Sequence, residues 1–145
     1  MSMRPRRGVA LLVALVALVL IGALVTATLF RVQSDARLAR EAFARRHAEA
    51  AAERTLRLGV TTTSSATVRA LRIGGEIAST NISNGVTTVL TTVRVDSSLA
   101  WLVASSSAPS VRGTARAQLG VSARIAPNGG APLQILPGDA WTQVY

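Results

Sequence analysis

His47 is the only imidazole in a chain of 145 residues that contains no cysteine. A Ser–His–Asp hydrolytic site would therefore have to be built around that one imidazole. A Ser–His–Asp arrangement would need Asp35, Asp96 or Asp139 beside it, together with a positioned nucleophile. One His, no Cys and scattered carboxylates do not supply the three or four ligands of a closed metal site. No phosphate-cradling or dinucleotide-type glycine fingerprint is present. The expectation is a chain with no catalytic residue, no metal and no cofactor, in which His47 has a packing or boundary role.

The remaining chemistry is basic. The chain carries 16 Lys plus Arg, all of them Arg, against 7 acidic residues, for a formal net charge of +9. Arg112, Arg116 and Arg124 fall on one face of an alternating segment, and Arg69 or Arg72 could join them. A basic stripe of this kind can bind an anionic polymer such as DNA or polysaccharide. Stacking aromatics are missing from it, so the plainer reading is a solvated face.

These residues need elements to hold them, and the N-terminal element is the most explicit. Residues 1–8, MSMRPRRG, form a short basic leader with Arg4, Arg6 and Arg7. Val9 to Phe30 then run for 22 residues without a charge, about 33 Å as a helix and enough to cross a bilayer core. Apolar residues on every side for about six turns do not suit a soluble surface helix. The segment reads as a cleaved secretory signal, a simple signal anchor, or a leader followed by a span. It exceeds the roughly 7–15 residues of a usual signal h-region. Arg31, Arg37 and Arg40 follow the span, diluted by Asp35 and Glu41, so flanking charge alone does not orient it.

The helix is expected to continue. Residues 31–58 contain neither Pro nor Gly and are rich in Ala, Arg, Glu and Leu. Val32, Ala36, Ala39, Phe43, His47 and Ala50 form a mainly apolar stripe at helical spacing, predicted to lie on a sheet. Arg37, Glu41, Arg45, Glu49, Glu53 and Arg57 sit four apart on another face and mostly alternate in sign. Gly22 is a soft point where the helix could bend, and Gly59 is expected to end it as a C-cap.

Residues 59–145 change character, becoming rich in Ser and Thr. Residues 60–67 read as a linker or edge. Strands are expected at 66–73, 77–83, 86–95, 98–104 and 111–125, with SSSAPS (105–110) as a longer loop. Asn84-Gly85 suits a two-residue type I′ hairpin, and Asp96-Ser97 a second turn. Between 111 and 125 small apolar residues occupy odd positions and mostly polar ones the even, the pattern of a strand with one face on a core. Trp141 and Tyr145 are expected to anchor the tail. The fold class is α+β: a long N-terminal helix, membrane-spanning at first and amphipathic after, packed on a small antiparallel sheet. Its divisions are the leader 1–8, the span 9–30, the amphipathic extension 31–58 and the β domain 59–145.

With these features in place, the chain resembles the type IV prepilin-like proteins, the superfamily of type IV pilins and type II secretion pseudopilins. The basic leader ending in Gly8, the span from Val9 and the unbroken extension carry the resemblance over about residues 1–57. AFARRHAEAAAERTL (42–56) looks like the corresponding stretch of minor pilins of the PilX kind. Two positions depart from the family pattern: Val9 replaces the usual first mature Phe, and Val13 the usual fifth mature Glu. The resemblance implies cleavage between Gly8 and Val9 by a prepilin peptidase, methylation of Val9, and lifting into a filament by an assembly platform. It implies a single-pass subunit of the bacterial cytoplasmic membrane, N-terminus cytoplasmic and β domain periplasmic, that then joins other pilin or pseudopilin subunits. Val9, Val13, Gly22 and Phe30 would lie in the filament core. The alternatives are a membrane-anchored periplasmic binding domain and a DNA-uptake pseudopilin using the Arg face.

Overall fold

The computed structural model describes the backbone of residues 6–136 and 142–143, and the side chains of residues 9–136. One helix, α1, runs from Arg6 to Thr62. A short helix, α2 (Ser65–Ala70), follows, and then, among the described residues, the strands β1 (Glu76–Ser83), β2 (Val86–Arg94), β3 (Leu99–Ser110), β4 (Gly113–Arg124), β5 (Gln134–Ile135) and β6 (Thr142–Gln143). The sheet order is β1-β2-β3-β4-β5, every pair antiparallel, and β6 also pairs with β4. The α+β class is therefore observed. The chain divides into two compact units, residues 1–39 and 40–145.

Within the second unit, α1 lies on the inner face of the sheet through Ala44, Ala48, Ala52, Leu56 and Val60, all buried. The four-residue step keeps these side chains on one face of the helix. Alanine at three of the five places lets the helix come close. Leu56, Leu102, Val121, Ala123 and Ile125 form the main core, and Ala48, Val86 and Ala108 a smaller cluster. The helix-on-sheet residues expected from the sequence are corrected here. Val32, Ala36, Ala39 and Phe43 are all exposed, Phe43 by 72%. The contact begins at Ala44, one residue and about 100° around the helix from Phe43. A search for bulky apolar residues favours Phe43 and Val32, whereas close helix–sheet packing selects the alanines.

Gly59 is not a C-cap. It is buried inside α1, and a Cβ placed on it would stand 2.5 Å from Leu90 Cδ2. The glycine is therefore a place of close approach, and the helix runs on to Thr62. Thr63 N–H then bonds to the Gly59 carbonyl, and the Ser64 hydroxyl accepts from Thr67 N–H to cap α2. This local capping makes a helix of the segment expected as a strand at 66–73.

The other strands stand close to their expected places, except that 105–110 belongs to β3 and is not a loop. Small side chains suit the helix contact there: Ser106 and Ala108 are buried, and the Ser106 hydroxyl donates to the Ala48 carbonyl. Pro109 lies beyond Ser107, the last β3 residue paired with β2, so its missing N–H costs no ladder bond on that side. Asn84 and Gly85 have φ of 51° and 75°, the positive values that the type I′ turn requires. At the next turn, Asp96 accepts from the Ser98 and Leu99 amides. The Ser98 amide, above all, holds this carboxyl below its ordinary range against the opposing effect of desolvation. Trp141 and Tyr145 lie outside the described residues.

Candidate functional site

Three surfaces contain the residues singled out by sequence: the apolar half of α1, the arginines, and the surroundings of His47. Arg4 lies outside the described residues, while Arg6, Arg7 and Gly8 occupy the first turn of α1. Every residue from Val9 to Phe30 is exposed. The most apolar window of the helix has a mean hydropathy of 3.0, and none of it is buried. The element is thus long and apolar enough to cross a membrane. Its two hydroxyls do not spoil that character. Thr26 donates to the Gly22 carbonyl and Thr28 to the Val25 carbonyl, each at 2.8 Å, so neither needs water. The helix continues through Gly22 without interruption. Val9 and Val13 are 64% and 60% exposed, and position 13 presents no carboxylate.

The arginines are dispersed. Arg112 lies at the β3–β4 turn and its Nε stands 3.7 Å from Glu41 Oε2 on α1. Arg116 and Arg124 are exposed on the outer face of β4, eight residues or roughly 27 Å of strand apart. Arg69 donates to the Pro127 and Ala126 carbonyls. Arg94, which the sequence reading did not single out, donates to the Arg69, Leu71 and Asp96 carbonyls. These two arginines bind main chain and hold α2 to the end of the sheet. Main-chain carbonyls call for them, and carbonyls leave no mark in a side-chain pattern. The helical charge face is also only partly internal: Arg45–Glu49 and Arg57–Glu53 pair along α1 at 3.8 and 2.6 Å, while Glu41 turns to Arg112.

His47 is exposed and stacks on Phe43, ring centroids 6.2 Å apart and planes 14° from parallel. Among the described residues, no group of three His, Cys, Asp or Glu is placed to hold a metal. A concavity of about 670 Å³ is lined by Arg45, Glu49, Ser107, Arg116 and Gln118 among others, with no His in its lining. It offers charge and hydrogen bonds but no nucleophile–base pair. Comparison of the chain with protein-family models, with curated proteins and with solved structures finds no match.

Proposed function

We propose that this chain is a structural filament subunit, a minor pilin or pseudopilin of a type IV pilus or type II secretion system, made as a membrane-anchored precursor. The observation that carries the reading is α1. A charge-free, wholly exposed stretch of 22 residues continues, in the same helix, into the alanine face that packs on the sheet. In lipid the first part satisfies its own backbone and its Thr hydroxyls. In a filament it would bundle with its counterparts, with Ala10, Ala14, Ala17, Gly22 and Ala23 allowing close approach. Prepilin peptidase and the assembly platform are the partners this reading requires; it requires no cofactor and no catalytic residue.

Val13 favours a second reading. In the resembling family an acid at that position neutralises the terminal amine of a neighbour, and this chain cannot do so. A subunit without it fits an accessory place better than a repeating shaft, and fits a permanently anchored domain as well. Mass spectrometry of the protein from its native membrane separates them. Loss of residues 1–8 with a methylated Val9 is expected, removing three arginines and taking the formal charge from +9 to +6. An intact leader, or a cut near Ala27, would exclude the filament reading.

A further inference from the structure

β1 is exposed along its edge and on both faces. All eight of its residues are exposed, and it stands at one end of the sheet, while β5 and β6 pair with β4 at the other. Natural sheets guard an edge of this length with Lys, Pro, a bulge or a covering segment. EIASTNIS contains no Pro, no Gly and no basic residue. The ladder to β2 fixes which main-chain groups are free. Arg94 N–H bonds to the Gly75 carbonyl, and the antiparallel alternation carries the same bonding to Ile77, Ser79, Asn81 and Ser83. Glu76, Ala78, Thr80 and Ile82 therefore turn their N–H and C=O groups outward, with no strand beyond them among the described residues.

The inner side of the strand borders a trough. Ile77, Ser79, Asn81 and Ser83 point to the side of the sheet that carries α1, because they oppose Thr92, Leu90, Thr88 and Val86 of the core face. Two concavities lie between them and α1. One, of about 270 Å³, has Thr62, Thr67, Ile77, Ser79 and Leu90 in its walls. The other, of about 260 Å³, has His47, Arg54, Asn81 and Ser83, and through His47 and Asn84 it adjoins a third that contains Arg40 and Phe43. Among the described residues, none of the three linings includes Asp or Glu, and neither Arg40 nor Arg54 forms an ion pair. The trough is uncharged at one end of β1 and cationic at the other.

We infer that β1 is a strand-addition site for an extended, acidic segment of a different protein. Main-chain bonds to residues 76–82 give the affinity, and alternate side chains of the guest, entering the trough, give the selectivity. Its carboxylates meet Arg54 and Arg40 at the Asn81 end, and its uncharged residues lie beside Thr62 and Ile77 at the other. Charge and hydrogen bonding choose this guest over two others. A second copy does not bring an acidic strand, since among the described strands β1 alone has a carboxylate, at Glu76. A nucleic-acid backbone presents phosphate acceptors, which meet the arginines but leave the outward carbonyls of β1 without donors. The site lies wholly within residues 40–145 and stands whether or not the leader is cut. One guest per subunit extends no array, in agreement with the accessory place proposed above.

The probe is a labelled peptide that alternates Thr and Glu and is long enough to cover β1, titrated by fluorescence anisotropy against the full chain in detergent micelles. It is expected to bind, and its Gln counterpart to bind about two- to fivefold more weakly, as for an exposed ion pair. Arg54→Glu should reverse that order. The peptide is also N-methylated at its Thr residues and, separately, at its Glu residues. One of these sets faces β1, and its methylation should weaken binding about tenfold or more. Thr80→Pro, which removes an outward N–H and no bond to β2, should weaken the unmodified peptide as much, at an unchanged unfolding midpoint. Failure of the Glu peptide to bind, full binding by both methylated forms, or an unaltered preference in Arg54→Glu would overturn the inference. So would a single-stranded oligonucleotide that displaces the peptide and still binds Thr80→Pro, which would mark a simple anion patch. A peptide-free dimer that dissociates in Thr80→Pro would give the edge to a second copy and overturn it too.

Discussion

Gly59 shows how little a residue type says until its neighbour is known. A glycine after a long helical pattern is ordinarily a C-cap, yet here its missing side chain admits Leu90 against the helix. Gly59→Val is expected to cost about 1–3 kcal/mol by overpacking, and Leu90→Ala in the same chain to recover part of it, read by denaturant unfolding in detergent. The alanine face argues the same way. Leu56 is fully buried while Phe43 is exposed. Leu56→Ala should therefore cost about 2–5 kcal/mol, and Phe43→Ala, despite removing the larger side chain, no more than about 0.5 kcal/mol. Equal losses would mean that the stripe through Val32 and Phe43 is the packed face after all.

At the scale of elements, the legible ones were those whose pattern is local. The Val9–Phe30 run, the Asn84-Gly85 turn and the alternation in β4 each follow from backbone geometry within one segment. β3 was legible only to residue 104, because Ser106 and Ala108 look like loop residues until α1 is laid over them. α2 was misread because Ser and Thr serve strands and helix caps alike, and the Ser64–Thr67 bonds decide between them. The membrane role proposed for α1 is tested at this scale. Val16→Arg puts a charge near the middle of the apolar run and should cost about 2.5–3.5 kcal/mol of insertion. Fractionation should show the variant leaving the membrane fraction, whereas Phe43→Arg, on the exposed part of the packed unit, should remain there.

For the whole molecule, the question is what the exposed surfaces are for. A helix with 22 consecutive uncharged residues and an unguarded edge strand are both costly to leave in water. Under the proposed function, lipid or a helix bundle covers the apolar helix. The arginines make a weaker case. One is paired with Glu41, Arg69 and Arg94 hold main-chain carbonyls, and Arg116 and Arg124 stand far apart on β4. An anionic polymer would find no concentrated patch on that strand, which is why assembly and not nucleic-acid capture is the function proposed.

The amino-acid sequence alone determined the apolar run, the long helix and the antiparallel β domain. Each of these depends on composition or on a period of 3.6 or 2 within one stretch of chain. Only the tertiary structure decided which face of α1 meets the sheet, what Gly59 is for, and where Arg69, Arg94 and Arg112 spend their charge. Those depend on contacts between residues that are distant in the chain. A side chain's type limits what it can touch; the neighbour across the fold selects what it does.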